Sequence, residues 1–176
     1  MNLTEKIIKT IRDVPDFPKP GIVFKDITPL LKDVSLSAEI TDAFKSYWQN
    51  QQVDAIVGIE SRGFIWGNSL AQAMKVPFIP VRKKGKLPAD TLTYSYDLEY
   101  GSAEVEIHTD AFEVEMNVLI HDDLLATGGT AVAAAELVKQ AGGKVAGFSF
   151  LVELGFLNGK DILSSYQKQI HSLVTY

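Results

Sequence analysis

Cysteine is absent from the 176 residues. Disulfides, thiol nucleophiles and thiolate metal centres are therefore excluded. No apolar run approaches the roughly 20 residues that a membrane-spanning helix needs. The opening Met1-Asn2-Leu3-Thr4-Glu5-Lys6 lacks the apolar block of a secretion signal. These absences predict a cytoplasmic protein without a membrane partner. An excess of basic residues is missing too. The net charge is −5, which argues against an extended nucleic-acid-binding surface. A mildly acidic chain that binds a polyanionic small molecule needs a local cationic site instead, and one is present.

Hydrophobic residues make up 46% of the chain and charged residues 22%, enough for a sizeable core. The length fits one domain, 1–176, of ordinary size. Leu3, Ile7, Ile8 and Ile11 recur at helical spacing and predict an N-terminal helix. The next stretch, DFPKPGIVFKDITPLL, holds three of the seven prolines and predicts an ordered loop or extended segment. Leu36, Ile40, Phe44 and Trp48 mark a second amphipathic helix, with Ser35 or Ser37 as candidate caps.

A strand-helix alternation follows. DAIVGI, FIPV, NVLI and KVAGFSFLVEL read as buried strands, and FIWGNSLAQAM and TAVAAAELVKQAG as helices between them. This order predicts an α/β fold with a parallel sheet covered by helices on both faces. Residues 83–109 are polar and break the pattern, so they read as a hairpin or flap inserted in that core. HSLVTY at the C-terminus reads as an edge strand.

Ligands of open parallel sheets sit beyond the carboxyl ends of the strands. Three strands here end in reactive side chains: Glu60-Ser61-Arg62-Gly63, Arg82-Lys83-Lys84 and Asp122-Asp123. The third belongs to VLIHDDLLATGGT, residues 118–130. Its strand delivers two adjacent carboxylates, and a turn then gives Ala126-Thr127-Gly128-Gly129-Thr130 at the start of a helix. Glycines let successive amides curl inward, and the helix start adds unpaired amides and the positive end of the dipole. Thr127 and Thr130 add hydroxyl donors, completing a socket for a terminal phosphate. Asp122 and Asp123 accept hydrogen bonds but do not donate when ionised, so they suit ribose hydroxyls or a divalent cation. Taken singly, Gly-Gly before a helix is ordinarily a turn, and Asp-Asp at a strand end is ordinarily a solvated cap. A Walker-type loop is excluded in this segment because no Gly-Lys-Ser/Thr follows the glycines.

VLIHDDLLATGGT closely resembles the phosphoribosylpyrophosphate-binding signature of the type I phosphoribosyltransferases, and DDLLATGGT resembles their adenine-specific branch. DFPKPGIVFKDITPLL, ESRGF, RKKGKLP, SYDLEYG and LVEL occur in that branch's order and approximate spacing, so the resemblance covers nearly the whole chain. It implies an enzyme of purine salvage. The substrates would be adenine and 5-phosphoribosyl-1-pyrophosphate, and the products AMP and pyrophosphate. It implies a base-binding N-terminal segment over residues 1–35, an inserted flap over 83–109, and a homodimer in which some flap cations reach the partner's site. Magnesium would come with the pyrophosphate substrate, held mainly by substrate oxygens and water, so that no protein-only metal site is needed.

The resemblance also implies residue roles. Ala126, Thr127, Gly128, Gly129 and Thr130 would hold the 5′-phosphate, and Asp122 and Asp123 would face the ribose. Ser61 and Arg62 would line a pyrophosphate loop. Arg82, Lys83 and Lys86 would be cationic pyrophosphate ligands. Main-chain groups at Val23 and Lys25, beside Phe24, would read the edge of the base, with Leu154 as an apolar neighbour. Lys25 stands where the branch carries arginine. Glu99 would act near the reacting base and ribose, beside Tyr100, and Arg62 and Arg82 would stabilise the leaving group. His121 stands where an apolar residue is usual and is expected to be a strand-end variation. His108 and His171 have no identifiable partner in the sequence, and Trp48 and Trp66 are expected in the core.

Two other readings fit parts of this pattern. One is a phosphoribosyltransferase for a 6-oxopurine, against which VFKD and LVEL both argue. The other is a non-catalytic regulator that binds the same donor as a signal. Such regulators carry an added DNA-binding region, for which this chain has neither spare length nor positive charge.

Overall fold

The structure is a computed structural model, and it describes residues 1–97 and 102–176. Helix α1 (Leu3–Thr10) starts at a capping box: the Asn2 side chain accepts from the Glu5 amide, and Glu5 accepts from the Asn2 amide. Ile7 and Ile11 are buried as expected, whereas Ile8 is exposed. The eight-residue helix spans barely two turns, so its buried stripe is narrower than the sequence pattern implied. The proline-rich stretch is more regular than expected. Strand β1 (Arg12–Pro15) pairs antiparallel with β2 (Val23–Asp26), and α2 (Thr28–Lys32) follows with proline in its first turn.

Helix α3 (Val34–Trp48) is capped by Asp33, whose carboxylate accepts from the Leu36 amide, and not by Ser35 or Ser37. The carboxylate carries charge as well as an acceptor to the positive helix end, which a serine hydroxyl does not. A cap is worth about 1 kcal/mol. Full burial of Leu36, Ile40, Phe44 and Trp48 is worth roughly 1.5–3 kcal/mol for each side chain of this kind. Packing, not capping, therefore fixes this helix.

The remaining strands form one seven-stranded sheet, together with helices α4 (Gly63–Met74), α5 (Gly129–Gln140) and the short α6 (Gly159–Leu163). Its order is β5 (Thr91–Asp97), β6 (Ser102–His108), β4 (Phe78–Lys83), β3 (Ala55–Ile59), β7 (Asn117–Leu125), β8 (Lys144–Glu153) and β9 (Ile170–Thr175). From β4 to β9 every pairing is parallel, and β9 forms the edge expected for the C-terminal strand. Strand β6 joins β4 antiparallel, so β5 and β6 extend the sheet and are not detached from it. The reason lies in AEVEI, which buries Val105 and Ile107 against the same core as β4.

Period-two alternation splits the interior into two layers. Val57, Ile59, Val118 and Ile120 pack under α5, while Ile56 and Leu119 pack under α1, α3 and α4 with Trp48 and Trp66. The α5 layer is lined by Ala131, Ala133, Ala134 and Ala135; the opposite layer is aromatic. Among the described residues no helix is long and apolar enough to cross a membrane.

Candidate active site

Because β4, β3, β7 and β8 run parallel, their carboxyl ends lie along one edge of the sheet, and register sets Ile59 level with Val81 and Gly58 level with His121. Glu60, Arg62, Arg82, Asp122 and Asp123 therefore meet there, as the sequence predicted.

Beyond β7 the chain makes a cavity of about 70 Å³ lined by Asp122 and by Ala126 through Ala131. Gly128 precedes α5 in left-handed backbone, with φ +89°. That conformation costs other residues about 1–2 kcal/mol. A Cβ there would also stand 3.0 Å from the Gly159 carbonyl oxygen. Gly129 contrasts with it: its φ is not positive, and a Cβ would meet only the Tyr96 ring at 3.7 Å. As the first residue of α5 it already has helical backbone, so its smallness and not its torsion distinguishes it. The Tyr96 hydroxyl lies 3.3 Å from that of Thr130, joining β5 to the socket.

Beside the socket, the Asp122 carboxylate accepts from the Asp123 amide at 2.8 Å. Arg62 forms an ion pair with Asp123 at 2.9 Å. Burial pushes the Asp122 carboxyl well above its usual range, and the adjacent Asp123 charge pushes it further. Burial also raises Asp123, with Arg62 pulling the other way. The half-buried Asp122 and the buried Asp123, the latter paired with Arg62, can accept from hydroxyl donors or face a cation. Among the described residues no three His, Asp or Glu side chains converge to hold a metal alone, so a divalent ion here would need ligands from a bound molecule.

The folded chain thus holds a proton on Asp122 more tightly than the unfolded chain. Its stability falls as pH rises from 3.8, the unfolded value, through the raised range. Asp122→Asn keeps the oxygen that accepts from Asp123 and removes the titration. The unliganded variant should melt above the parent at about pH 7, with the gap closing towards about pH 4. Melting curves across that interval check this, and equal melting temperatures at neutral pH would contradict it.

At the end of β4, Arg82 does not point freely outward. Its guanidinium grips both oxygens of Glu60 at 3.2 and 3.3 Å, and the Arg82 Nη1 donates to the Lys86 carbonyl at 3.1 Å. The Glu60 carboxylate also accepts from the Lys83 amide. Those bonds outweigh its partial burial and hold its carboxyl below the usual range. Lys84 pairs with Glu104 at 2.9 Å. The four cations between Arg82 and Lys86 are therefore partly neutralised from within the fold. Lys83 and Lys86 are exposed, and their ammonium groups make no ion pair among the described residues.

A second cavity, of about 670 Å³, is lined by Asp13, Ile22, Val23, Lys25, Leu154 and Tyr176 among others. Thr127 lines both cavities, so the two adjoin. Val23 and Lys25 are two apart on β2, and alternate residues of an antiparallel strand present their main-chain groups to the same edge. Pro15, opposite Val23, has no amide to donate. The Lys25 ammonium pairs with Asp13 at 2.7 Å and lies 3.9 Å from the centre of the Tyr176 ring. Phe24 is not among the lining residues. It meets Phe17 edge-on at 5.2 Å, and the Arg62 guanidinium lies 5.1 Å from its ring centre, so it links β2 to the strand ends.

Ser61 is exposed beside Arg62, and its carbonyl accepts from Phe64. Glu99 and Tyr100 lie outside the described residues. His121 is fully buried edge-on to Phe44, and desolvation lowers its pKa to about 3. It is neutral, and neither of its ring nitrogens has a hydrogen-bond partner among the described residues. Trp48 and Trp66 are core residues as expected. The sequence reading missed Tyr176 and Asp13, which reach the large cavity from distant segments, and the roles of Glu60 and Tyr96. No local pattern marks the first two. Glu60 was visible at a strand end, but its pairing with Arg82 needed the β3–β4 register.

Residues 30–161 match the family model for the phosphoribosyl transferase domain. The chain is 51% identical to the adenine phosphoribosyltransferase of Cytophaga hutchinsonii over 99% of its own length and 96% of the relative's. The crystal structure of the Thermoanaerobacter pseudethanolicus adenine phosphoribosyltransferase superimposes with a TM-score of 0.95 at 48% identity, covering 99% of this chain and 100% of that one. The Saccharomyces cerevisiae enzyme, solved with adenine and an imino-altritol bisphosphate, gives 0.90 at 38% identity over 97% and 98% of the two chains. With its parallel sheet, its phosphate-sized socket and this similarity along its whole length, the chain belongs to the adenine phosphoribosyltransferase family.

Proposed function

We propose that this chain transfers the phosphoribosyl group of 5-phosphoribosyl-1-pyrophosphate to adenine, forming AMP and pyrophosphate in purine salvage. The observation that carries the reading is the pair of adjoining cavities sharing Thr127, one phosphate-sized at a helix start and one large and mostly apolar. A nucleoside monophosphate has matching parts at matching ends. Purified protein incubated with adenine, the donor and magnesium should produce AMP; no AMP from folded protein would overturn the assignment.

In this reading the amides of Ala126 to Thr130 and the two threonine hydroxyls bind the 5′-phosphate, and Asp122 and Asp123 accept from the ribose hydroxyls. Main-chain groups of Val23 and Lys25 bind the edge of adenine, with Leu154 against its face. A ring nitrogen of adenine attacks the anomeric carbon as the bond to pyrophosphate breaks, and the proton that nitrogen carried is given up to a base, for which Glu99 is the candidate. Positive charge then grows on the sugar and negative charge on the leaving group. Arg62, Arg82, Lys83 and Lys86 face the second charge, with Ser61 beside them, and donors fixed in advance stabilise it without reorganising. Magnesium brought in with the donor would supply further charge neutralisation there, and Asp122 and Asp123 are the carboxylates of this chain that could face it. Glu99 and Tyr100 complete the site near the base and ribose. The segment 83–109 shields the donor from water, the competing nucleophile. The enzyme acts as a cytoplasmic homodimer.

The socket gives a direct check. Gly129→Val adds an isopropyl group beside the Tyr96 ring at the first turn of α5, so the protein should fold while the Michaelis constant for the donor rises. Gly128→Val should damage both folding and binding, given its φ of +89°. Donor constants and melting curves for the two variants separate them, and an unchanged donor constant in folded Gly129→Val would remove the phosphate role.

A further inference from the structure

The cationic turn after β4 is held by a buried acid that no catalytic step uses. Lys83-Lys84-Gly85-Lys86 closes with a bond from the Lys86 amide to the Lys83 carbonyl at 3.2 Å, and Gly85 supplies the φ of +81° that the third position requires. Beneath it lies Glu106, only 4% exposed, on the neighbouring antiparallel strand and in register with Arg82. One carboxylate oxygen accepts from the Lys86 amide at 2.9 Å and from the Leu87 amide at 2.8 Å. A carboxylate buried this deeply usually pairs with a cation. Four cations stand within five residues of this turn, yet Glu106 is satisfied by the main-chain amides of Gly85, Lys86 and Leu87 and by the Thr91 hydroxyl. The outcome is a fixed turn in which Lys84 is paired with Glu104 while the ammonium groups of Lys83 and Lys86 are exposed and make no ion pair among the described residues.

We infer that Glu106 is a positioning residue: its buried carboxylate locks the Lys83–Leu87 turn so that Lys83 and Lys86 meet the pyrophosphate group in a preset geometry without being neutralised. The inference rests on the pyrophosphate role proposed above for those lysines. Glu60 anchors the other end of the same turn through Arg82 and the Lys83 amide, so two carboxylates clamp it at both ends. Removing one releases Lys86 and Leu87 while Arg82 stays held.

Three variants test this against the parent enzyme, with donor, adenine and magnesium as probes. Glu106→Ala should lower kcat/KM for the donor on the order of 10- to 100-fold, the scale of displaced catalytic groups. The KM for adenine should stay within about twofold. Glu106→Gln keeps one oxygen that can accept from both amides, so it should recover most of the loss. It also serves if the alanine variant folds poorly. In a background already carrying Lys83→Ala and Lys86→Ala, removing Glu106 should cost little more, because a residue that acts through those lysines is not additive with them. Full additivity in that background, or a glutamine variant as impaired as alanine, would overturn the positioning role. If the parent makes no AMP, the proposed function fails; if AMP forms but the lysine variants match the parent, the lysine role and with it the positioning role of Glu106 are overturned.

Discussion

Adenine should be consumed at least about 10⁴-fold more efficiently than hypoxanthine, judged by kcat/KM. The two bases are nearly the same size, and an apolar cavity alone separates near-isosteres by only about 100-fold. The difference must come from the edge. Hypoxanthine carries a carbonyl where adenine has an amino group, and a ring N–H where adenine has an acceptor. The main-chain groups of Val23 and Lys25 cannot exchange donor for acceptor or rotate to a new partner, because β2 is fixed by its pairing with β1. Each bond would become donor facing donor or acceptor facing acceptor, and each buried polar group left unpaired costs about 1–3 kcal/mol. Parallel kinetics with the two bases decide the matter. Similar efficiencies would remove the adenine assignment even if AMP forms.

Replacing Arg82 by alanine should reduce kcat by about 100- to 1000-fold, the usual loss for one donor that stabilises developing charge. A stability effect competes with this account, because Arg82 is paired with Glu60. The pair is partly exposed, with 32% and 15% of the two side chains accessible, and such pairs contribute about 0–1 kcal/mol. Glu60 also retains the Lys83 amide when the guanidinium is gone. Folding should therefore survive while turnover falls. Arg82→Lys separates charge from shape. It keeps the cation but cannot hold Glu60 and a phosphate oxygen through one planar fork, so it should remain well below the parent. A kcat close to the parent's for Arg82→Ala, with only KM raised, would assign Arg82 to binding alone.

Much of this site lies in contiguous sequence, because parallel strands carry their functional residues at the end of an apolar run. DAIVGI leads to Glu60 and Arg62, and NVLI to Asp122 and Asp123, so the periodicity that forms the strand also locates the chemistry. Where pairing partners decide, the pattern is silent. AEVEI alternates polar and apolar residues, which predicts one wet face, yet Glu106 is buried and Glu104 meets Lys84. Nothing local distinguishes those two glutamates; the β4–β6 register does. In the same way, Ser35 and Ser37 fit a cap by residue type, but the helix starts earlier and Asp33, two residues before Ser35, caps it. The wall of the large cavity was the least legible part. Tyr176 and Val23 are at opposite ends of the chain and come together only through the sheet edge and the β1–β2 ribbon.

Ala131, Ala133, Ala134 and Ala135 do more than fill the layer under α5. Side chains this short set the height of the helix above the sheet, and the first turn of that helix is the phosphate socket. A larger residue at one of these positions would lift the helix end, and with it the amides of Gly129 and Thr130, away from the Asp122 and Asp123 carboxylates of β7. Core volume and ligand affinity are thus one variable along this helix. A substitution far from any substrate atom, chosen only for packing, would shift the separation between the two halves of the donor site.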